Sequence, residues 1–372
     1  MKIGIDARLY RSSVAGIGRY SQNLIKNILL LDKKNQYVLI MTPEDAKEYR
    51  AKSSSQDNVE ILETTIPHYS LSEQTKLTKI LNDQKFDFVH FLNFNHPVSY
   101  KGRFIVTIHD LTLFFYPGRS KKGFITKIAY KYIMKHACAT AKKIIAVSTA
   151  TKKDILETFH VEKDKIQVVY EAADDKVFQN TTPDFLDKTK RKYGLDSTPI
   201  ILYVGQWRPH KNLVGLIKAF EILRKKTEAK LVIVGKVDPS FPEVTEAIDK
   251  SAFLRDIIKP GFISEEELAA FYKLAKVFVF PSFYEGFGLP GLEAMMAQTP
   301  VCSSNRTSLP EVYQDAAVYF DPTNLEDMAK KIELVLKDDK LRKDLIYKGK
   351  ELLNQYSWQK TAEETLSVYN KL

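Results

Sequence analysis

Short apolar runs alternate with amphipathic stretches from one end of the chain to the other. KIGIDA, QYVLIM, NVEILE, FDFVHF, RFIVTIH and KIIAVS are rich in Val, Ile and Phe and bounded by polar turns, which predicts strands. Between them, apolar residues recur at helical spacing over 17–31, 72–84, 121–141 and 150–159. After a polar stretch over 174–198 a second series begins: PIILYVG, AKLVIVG, IIKPGF, VFVFPS, TPVCSS and AAVYF. Helical patterns over 212–225, 265–274, 292–297 and 324–338 separate these strands. Such alternation predicts an α/β protein with parallel sheets and helices on both faces. Two series joined by a polar linker predict two doubly wound, Rossmann-like domains facing each other across a cleft. The expected division is 1–175 and 176–357, with a last amphipathic helix, 358–372, covering a surface of the first domain.

A length of 372 residues is too great for one ordinary core and suits two domains of under about 200 residues each. A hydrophobic fraction of 44% with 11% aromatics excludes a disordered chain. No apolar run reaches the roughly eighteen residues of a membrane span, and the start lacks a signal-peptide pattern. Cys138 and Cys302 stand far apart, without the spacing of a zinc site or a disulfide framework, so the expected compartment is the cytoplasm. The formal charge of +10 is concentrated: no Asp or Glu occurs over 111–153, where ten Lys and Arg residues lie. Lys127, Lys131 and Lys135 recur at i, i+4 and i+8 beside Ile128 and Tyr132. This segment, 119–143, reads either as a solvated helix or as a basic amphipathic helix on an anionic membrane. No nucleic-acid motif accompanies the charge.

Parallel sheets bind ligands beyond the carboxyl ends of their strands. There, after VFVF, the chain continues EGFGLPGLE from Glu285 to Glu293. Gly286 and Gly288 allow close approach of a ligand to the backbone, and Pro290 suits the first turn of a helix whose free N–H groups can take phosphate. Two carboxylates beside a phosphate cradle make sense if they bind hydroxyls. Gly286, Gly288 and Gly291 also spell GxGxxG, with Glu311 twenty residues on, so a dinucleotide reading stands beside a plain helix-capping loop. In ILYVGQWRPHKNL, Gly205 closes a strand, and Arg208 and Lys211 offer two cations before a helix start, an anion site in the making. His210 reads as loop packing. His109 and Asp110 end a buried strand, where His109 is a candidate for substrate contact. Gly16, Gly18 and Arg19 form a glycine turn entering a helix, another anion cradle or a tight loop. No D-x-D occurs and the seven histidines show no ligand spacing, so no metal is expected.

These motifs, in this order, resemble the retaining glycosyltransferases of family 4, which have the GT-B architecture. The likeness runs through GIDAR…GIGRY, TIHDLT, YVGQWRPHKNL, LVIVGK, GFISEEELAAFY, PSFYEGFGLPGLEAM and SLPEV. It implies that Glu285 contacts the donor sugar, Glu293 the nucleotide ribose, and the amides of Gly286, Phe287, Gly288 and Leu289 the sugar and diphosphate. Lys211 and Arg208 match the family's basic pair on the diphosphate, though Gln206 stands where an arginine often follows the glycine. The segment 261–263, with Phe262 and Ile263, matches the stretch that reads the base. His109 matches the histidine near the reacting carbon, and Gly16 and Gly18 the loop beside diphosphate and acceptor. Gln298 departs from a common glycine. The resemblance implies metal-independent transfer with retention from a nucleotide sugar, GDP-mannose first and a UDP-hexose next, to a glycan or lipid-linked acceptor, without a further cofactor. An inactive nucleotide-sugar-binding module and a nucleotide-sugar epimerase or NAD enzyme are the rival readings.

Overall fold

The computed structural model describes residues 1–11, 15–54, 56–117, 123–174, 178, 181–261 and 263–372. The chain divides into two compact units, Met1–Glu171 with Ser357–Leu372, and Ala172–Tyr356.

The first unit contains β1 (Lys2–Asp6), α1 (Ala15–Leu31), β2 (Gln36–Met41), α2 (Pro43–Lys52), β3 (Val59–Glu63), α3 (Thr78–Asp83), β4 (Phe88–Phe91) and β5 (Phe104–Ile108). It continues through α4 (Thr112–Phe115), α5 (Gly123–Thr140), β6 (Lys143–Ala146), α6 (Thr149–Phe159) and β7 (Ile166–Val168). Its sheet is parallel, in the order β3-β2-β1-β4-β5-β6-β7. Every residue of β4 and β5 is buried, as expected for strands covered on both faces, whose sequences run apolar without alternation.

The second unit contains α7 (Pro183–Tyr193), β8 (Ile200–Val204), α8 (Leu213–Arg224), β9 (Lys230–Val234), α9 (Glu243–Asp249), β10 (Ile257–Gly261), α10 (Glu265–Leu274) and β11 (Val277–Phe280). Then come α11 (Leu289–Met296), β12 (Val301–Ser304), α12 (Leu309–Tyr313), β13 (Ala317–Phe320), α13 (Leu325–Lys337) and α14 (Asp339–Leu353). The parallel order is β10-β9-β8-β11-β12-β13. Its core joins Ile201, Tyr203, Ile233, Val277 and Val279 of the strands to Leu216, Phe220, Ile332 and Val335 of α8 and α13. The chain then returns to the first unit, where α15 (Trp358–Tyr369) packs on α1. Tyr369 is buried there and bonds His90 Nδ1 of β4 at 2.7 Å, while Leu366 is half-buried.

The polar stretch over 174–198 is not a plain linker, because α7 lies in it. Thr182 caps Phe185 N–H, Pro183 opens the first turn, and Gly194 ends the helix at φ 62°. Only Thr189 of that helix is buried, which is why its apolar signal is faint. The three residues of β7 escaped the strand pattern for want of length. The predicted helix over 121–141 is observed as Gly123–Thr140, its first two predicted residues lying outside the described ones.

Candidate active site

In the second unit the strand order reverses between β8 and β11: successive strands go outward to β10 on one side and to β13 on the other. The loops leaving β8 and β11 therefore border a crevice, the point where open parallel sheets take ligands. The loop after β8 carries Gly205, Arg208 and Lys211, and the loop after β11 carries Glu285 to Gly288. A hydrogen bond from Phe283 N–H to the His210 carbonyl, 2.8 Å, ties them together. Lys211 Nζ lies 2.7 and 2.8 Å from the two carboxylate oxygens of Glu285. The side chains are 19% and 11% exposed, so the pair is neither buried nor freely solvated.

Glu285 is held from behind. Thr307 Oγ1 accepts its backbone N–H at 3.0 Å, and Ser308 Oγ donates to the carbonyls of Glu285 and Phe287. Thr307 adopts φ 51°, a left-handed conformation costly for a β-branched residue and of the kind that clusters at functional sites. Helix α11 begins at Leu289 with Pro290 in its first turn. Glu293, buried one turn further, accepts a 2.8 Å hydrogen bond from Tyr272 Oη of α10.

The glycines have a reason the sequence did not show. A Cβ on Gly288 (φ 107°) would lie 2.5 Å from Tyr313 Oη, and one on Gly291 2.3 Å from Tyr313 Cζ. Their bare faces meet a buried tyrosine that also bonds the Gly288 carbonyl, so at these two positions the missing Cβ serves internal packing. His210 is buried, and burial with the neighbouring charges of Lys211 and Arg208 pushes its pKa down to about 3. It is a neutral packing residue. Among the described residues the buried donors Trp207 Nε1, Arg208 Nε and Ser282 Oγ have no acceptor. Gly261 ends β10 at φ 77°, Ile263 is half-buried, and Phe262 lies outside the described residues.

The first sheet reverses between β1 and β4, and its crevice is filled. Arg8, 1% exposed, reaches Asp6 at 2.7 Å and Glu73 at 2.6 Å. Asp6, His68 and Glu73 present ligand atoms within 4.8 Å of one another, the geometry of a metal site, but the guanidinium already supplies the cation their carboxylates need. Burial would raise the Asp6 carboxyl, yet Arg8 holds it below its ordinary value. For Glu73 burial prevails and the pKa rises.

His109 follows β5. Its Nδ1 lies 2.8 Å from Glu171 and its Nε2 2.9 Å from the Leu92 carbonyl, so both nitrogens face acceptors. Burial pulls its pKa down, but the Glu171 carboxylate outweighs it and the net shift is upward, favouring the imidazolium. Tyr20 packs edge-on at 4.6 Å. Gly18 is where a Cβ would strike the Arg11 carbonyl, at 2.3 Å, while Gly16 has open space. The structure thus brings Lys211, Glu285, the 286–289 loop and Glu293 into one constellation, whereas His109, Gly16 and Gly18 belong to the other unit. Sequence reasoning gave no role to Tyr272, Tyr313, Thr307 or Glu171; GFISEEELAAFY, which ends on Tyr272, and SLPEV, which holds Ser308, were the motifs that touched these supports.

Known proteins resemble this chain throughout. The family described as Glycosyltransferase Family 4 matches residues 14–177, and that described as Glycosyl transferases group 1 matches 186–352. O-antigen chain mannosyltransferase B of Escherichia coli is 28% identical across the full length of both chains. The serotype-specific mannosyltransferase WbdA of Escherichia coli is 30% identical over 62% of this chain, which spans 29% of that longer protein. An Anabaena protein solved in complex with UDP and glucose shares the fold, with a TM-score of 0.76 over 100% of each chain at 14% identity.

Proposed function

The chain belongs to the GT-B glycosyltransferases that join a family 4 amino-terminal half to a group 1 carboxyl-terminal half, and on that premise we propose that it transfers mannose from GDP-mannose to a cell-envelope glycan of the O-antigen kind, with retention at the anomeric carbon. The observation that carries the reading is the Lys211–Glu285 pair at the reversal between β8 and β11. A cation and a carboxylate held side by side suit the two ends of one ligand: Lys211 the diphosphate, Glu285 the hydroxyls of the sugar. Arg208, with an unpartnered Nε, and the Leu289 N–H at the start of α11 add donors for phosphate oxygens. Glu293, aimed by Tyr272, takes the ribose hydroxyls.

In this reading the bond from the anomeric carbon to the β-phosphate oxygen breaks with the electron pair leaving on phosphate. The acceptor oxygen forms its bond on the same face, and its proton passes to the departing phosphate oxygen. Lys211, Arg208 and the loop amides stabilise the charge that develops there, the kind of electrostatic contribution that dominates many enzymes. His109, bonded to Glu171 and with its pKa raised by that carboxylate against burial, is the first-unit residue that the family resemblance assigns to the donor sugar. No metal takes part.

The acceptor in this proposal is carried on a lipid at the cytoplasmic membrane surface. On α5, Ile128 and Tyr132 are exposed beside the exposed Lys131 and Lys135, an apolar and basic face suited to an anionic interface. Arg119, Lys121 and Lys122 lie outside the described residues. No helix of the described residues is long and apolar enough to cross a membrane.

The test is a screen of sugar nucleotides for slow donor hydrolysis, followed by NMR assignment of the anomer in the transferred product. GDP-mannose is expected to turn over fastest and to give the α-anomer. Turnover of a UDP-hexose alone would replace the donor, an inverted anomer would remove the mechanism, and no turnover with any sugar nucleotide would overturn the reading.

A further inference from the structure

The lysines of the acid-free segment do not all lie on the α5 face. Lys143 opens β6, Lys152 comes from the first turn of α6, and both line a pocket of about 230 Å³ together with Lys163, Lys371, Gln167 and Asp164. The pocket sits at the amino-terminal ends of β6 and β7, since Lys143 and Ile166 are the first residues of those strands. Parallel sheets bind their substrates at the opposite, carboxyl ends. It is therefore not part of the crevice of either sheet.

Three observations make this more than a solvated basic surface. Lys143 Nζ donates to the Asp164 carbonyl at 2.8 Å and Lys152 Nζ to the Ile166 carbonyl at 2.7 Å. Each ammonium is thus positioned in advance and keeps two donors for a ligand, which lowers the ordering cost of binding. Among the described residues none of Lys143, Lys152, Lys163 and Lys371 forms an ion pair with a carboxylate. And Lys152 comes from the first turn of α6 yet carries its ammonium to the amino end of β7. Lys371, just beyond α15, is the one whose position a helix dipole explains. Among the lining residues four lysines face one carboxylate, that of Asp164, an excess of positive charge suited to a phosphate.

We propose that this lysine pocket is a phosphate-binding site, taking a phosphomonoester dianion supplied either by a free phosphate compound or by a phospholipid headgroup. The site is separate from the donor site and does not depend on the transferase reading.

Residue-resolved acetylation of lysines, read by mass spectrometry, tests it in the intact chain. Inorganic phosphate, against chloride at equal ionic strength, is expected to slow labelling of Lys143, Lys152, Lys163 and Lys371 about threefold or more near saturation, with exposed Lys340 unchanged. Vesicles of phosphatidylcholine with phosphatidic acid, against phosphatidylcholine alone, form the second arm. Protection by these vesicles but not by free phosphate assigns the headgroup as the source. The double variant Lys152→Gln/Lys163→Gln, with an unchanged melting temperature, is expected to lose the protection of Lys143 and Lys371. Absence of protection in both arms, or protection that survives in the double variant, overturns the proposal.

Discussion

Replacing Glu285 with Gln separates two things the Lys211–Glu285 pair does. In the unliganded protein the carboxylate accepts two bonds from the ammonium, at 2.7 and 2.8 Å, with both side chains under one-fifth exposed. Gln keeps one acceptor oxygen but turns an NH2 group towards Lys211. The loss of charge-assisted bonding is about 1.5–3 kcal/mol. At about 2–4 °C per kcal/mol for a domain of this size, the second unit should melt roughly 3–12 °C lower. Nucleotide binding should move the other way. A diphosphate oxygen bonded to Lys211 would sit about 4.5 Å from the Glu285 carboxylate, a repulsion of about 4 kcal/mol at an effective dielectric of 20. Solvent at this partly open site reduces that, and a gain of about 1.4 kcal/mol, tenfold in affinity, is expected. Titration calorimetry with GDP and with UDP measures it, alongside turnover of the sugar nucleotide, which should fall about 10²–10³-fold. If both diphosphates bind Glu285→Gln no more tightly than the wild type, Lys211 is not the phosphate ligand.

Tyr272→Phe removes the hydroxyl that aims Glu293, and steady-state kinetics should show the donor KM rising about tenfold with kcat nearly unchanged; an unaltered KM would make the tyrosine mere packing. Gly291→Ala should destabilise the second unit by about 1–3 kcal/mol in denaturant titrations, despite the helix propensity of alanine, because the new methyl meets Tyr313. In a Tyr313→Ala background the same change should be neutral or favourable. Charge reversal of Lys127, Lys131 and Lys135 should weaken sedimentation with anionic vesicles, and identical binding would leave that helix face simply solvated. Acid should loosen the first unit more than the second. Burial depresses His68, His90 and His96 to pKa values of about 4, 3 and 4, against His210 alone in the other unit at about 3. A depressed histidine binds its proton only on unfolding, so its stabilisation is complete above pH 6.5 and lost as pH falls towards the folded value. At pH 5 each costs about 2 kcal/mol. His109, shifted up, has the opposite sign, stabilising below pH 6.5 and losing that contribution as pH rises through its folded pKa. Calorimetry from pH 7 to pH 5 should show the steeper loss in one transition, and Glu171→Gln should remove the alkaline decline.

The alternation of strands and helices was legible because each central strand is covered on both faces and reads as an unbroken apolar run. Elements with little to bury were not. Helix α7 buries one residue and is strongly polar overall, and β7, three residues long, is too short to show an alternation. Charged groups at strand ends could be picked out by position and type, hence Lys211 and Glu285, which the structure pairs. Their supports could not, because Tyr272 reaches Glu293 across 21 residues and Thr307 reaches Glu285 across 22, and a tyrosine or threonine in a helix or turn carries no mark of such a partner. The glycine loop was read for what it could admit, while Gly288 and Gly291 answer to what Tyr313 already occupies.

The two sheets share a topology with a reversal point each, and the difference between those points bears on which half handles the phosphates. In the first sheet the carboxylates of Asp6 and Glu73 close on Arg8, whose guanidinium is fully buried and has no path to an incoming anion. Converting that crevice to phosphate binding would require breaking two ion pairs and leaving carboxylates in low dielectric, a cost of several kcal/mol. In the second sheet the corresponding cation is a lysine at a partly open position, paired to a single carboxylate, beside an Arg208 Nε that lacks an acceptor. A diphosphate there gains donors without stranding a buried charge. One excess carboxylate remains around Arg8 and one excess cation around Lys211 and Arg208, so in the proposed reading only the second reversal point suits a phosphate. Exchanging Asp6 for Asn should therefore not create nucleotide binding in the first unit, whereas Arg208→Ala should weaken binding of GDP or UDP to the second.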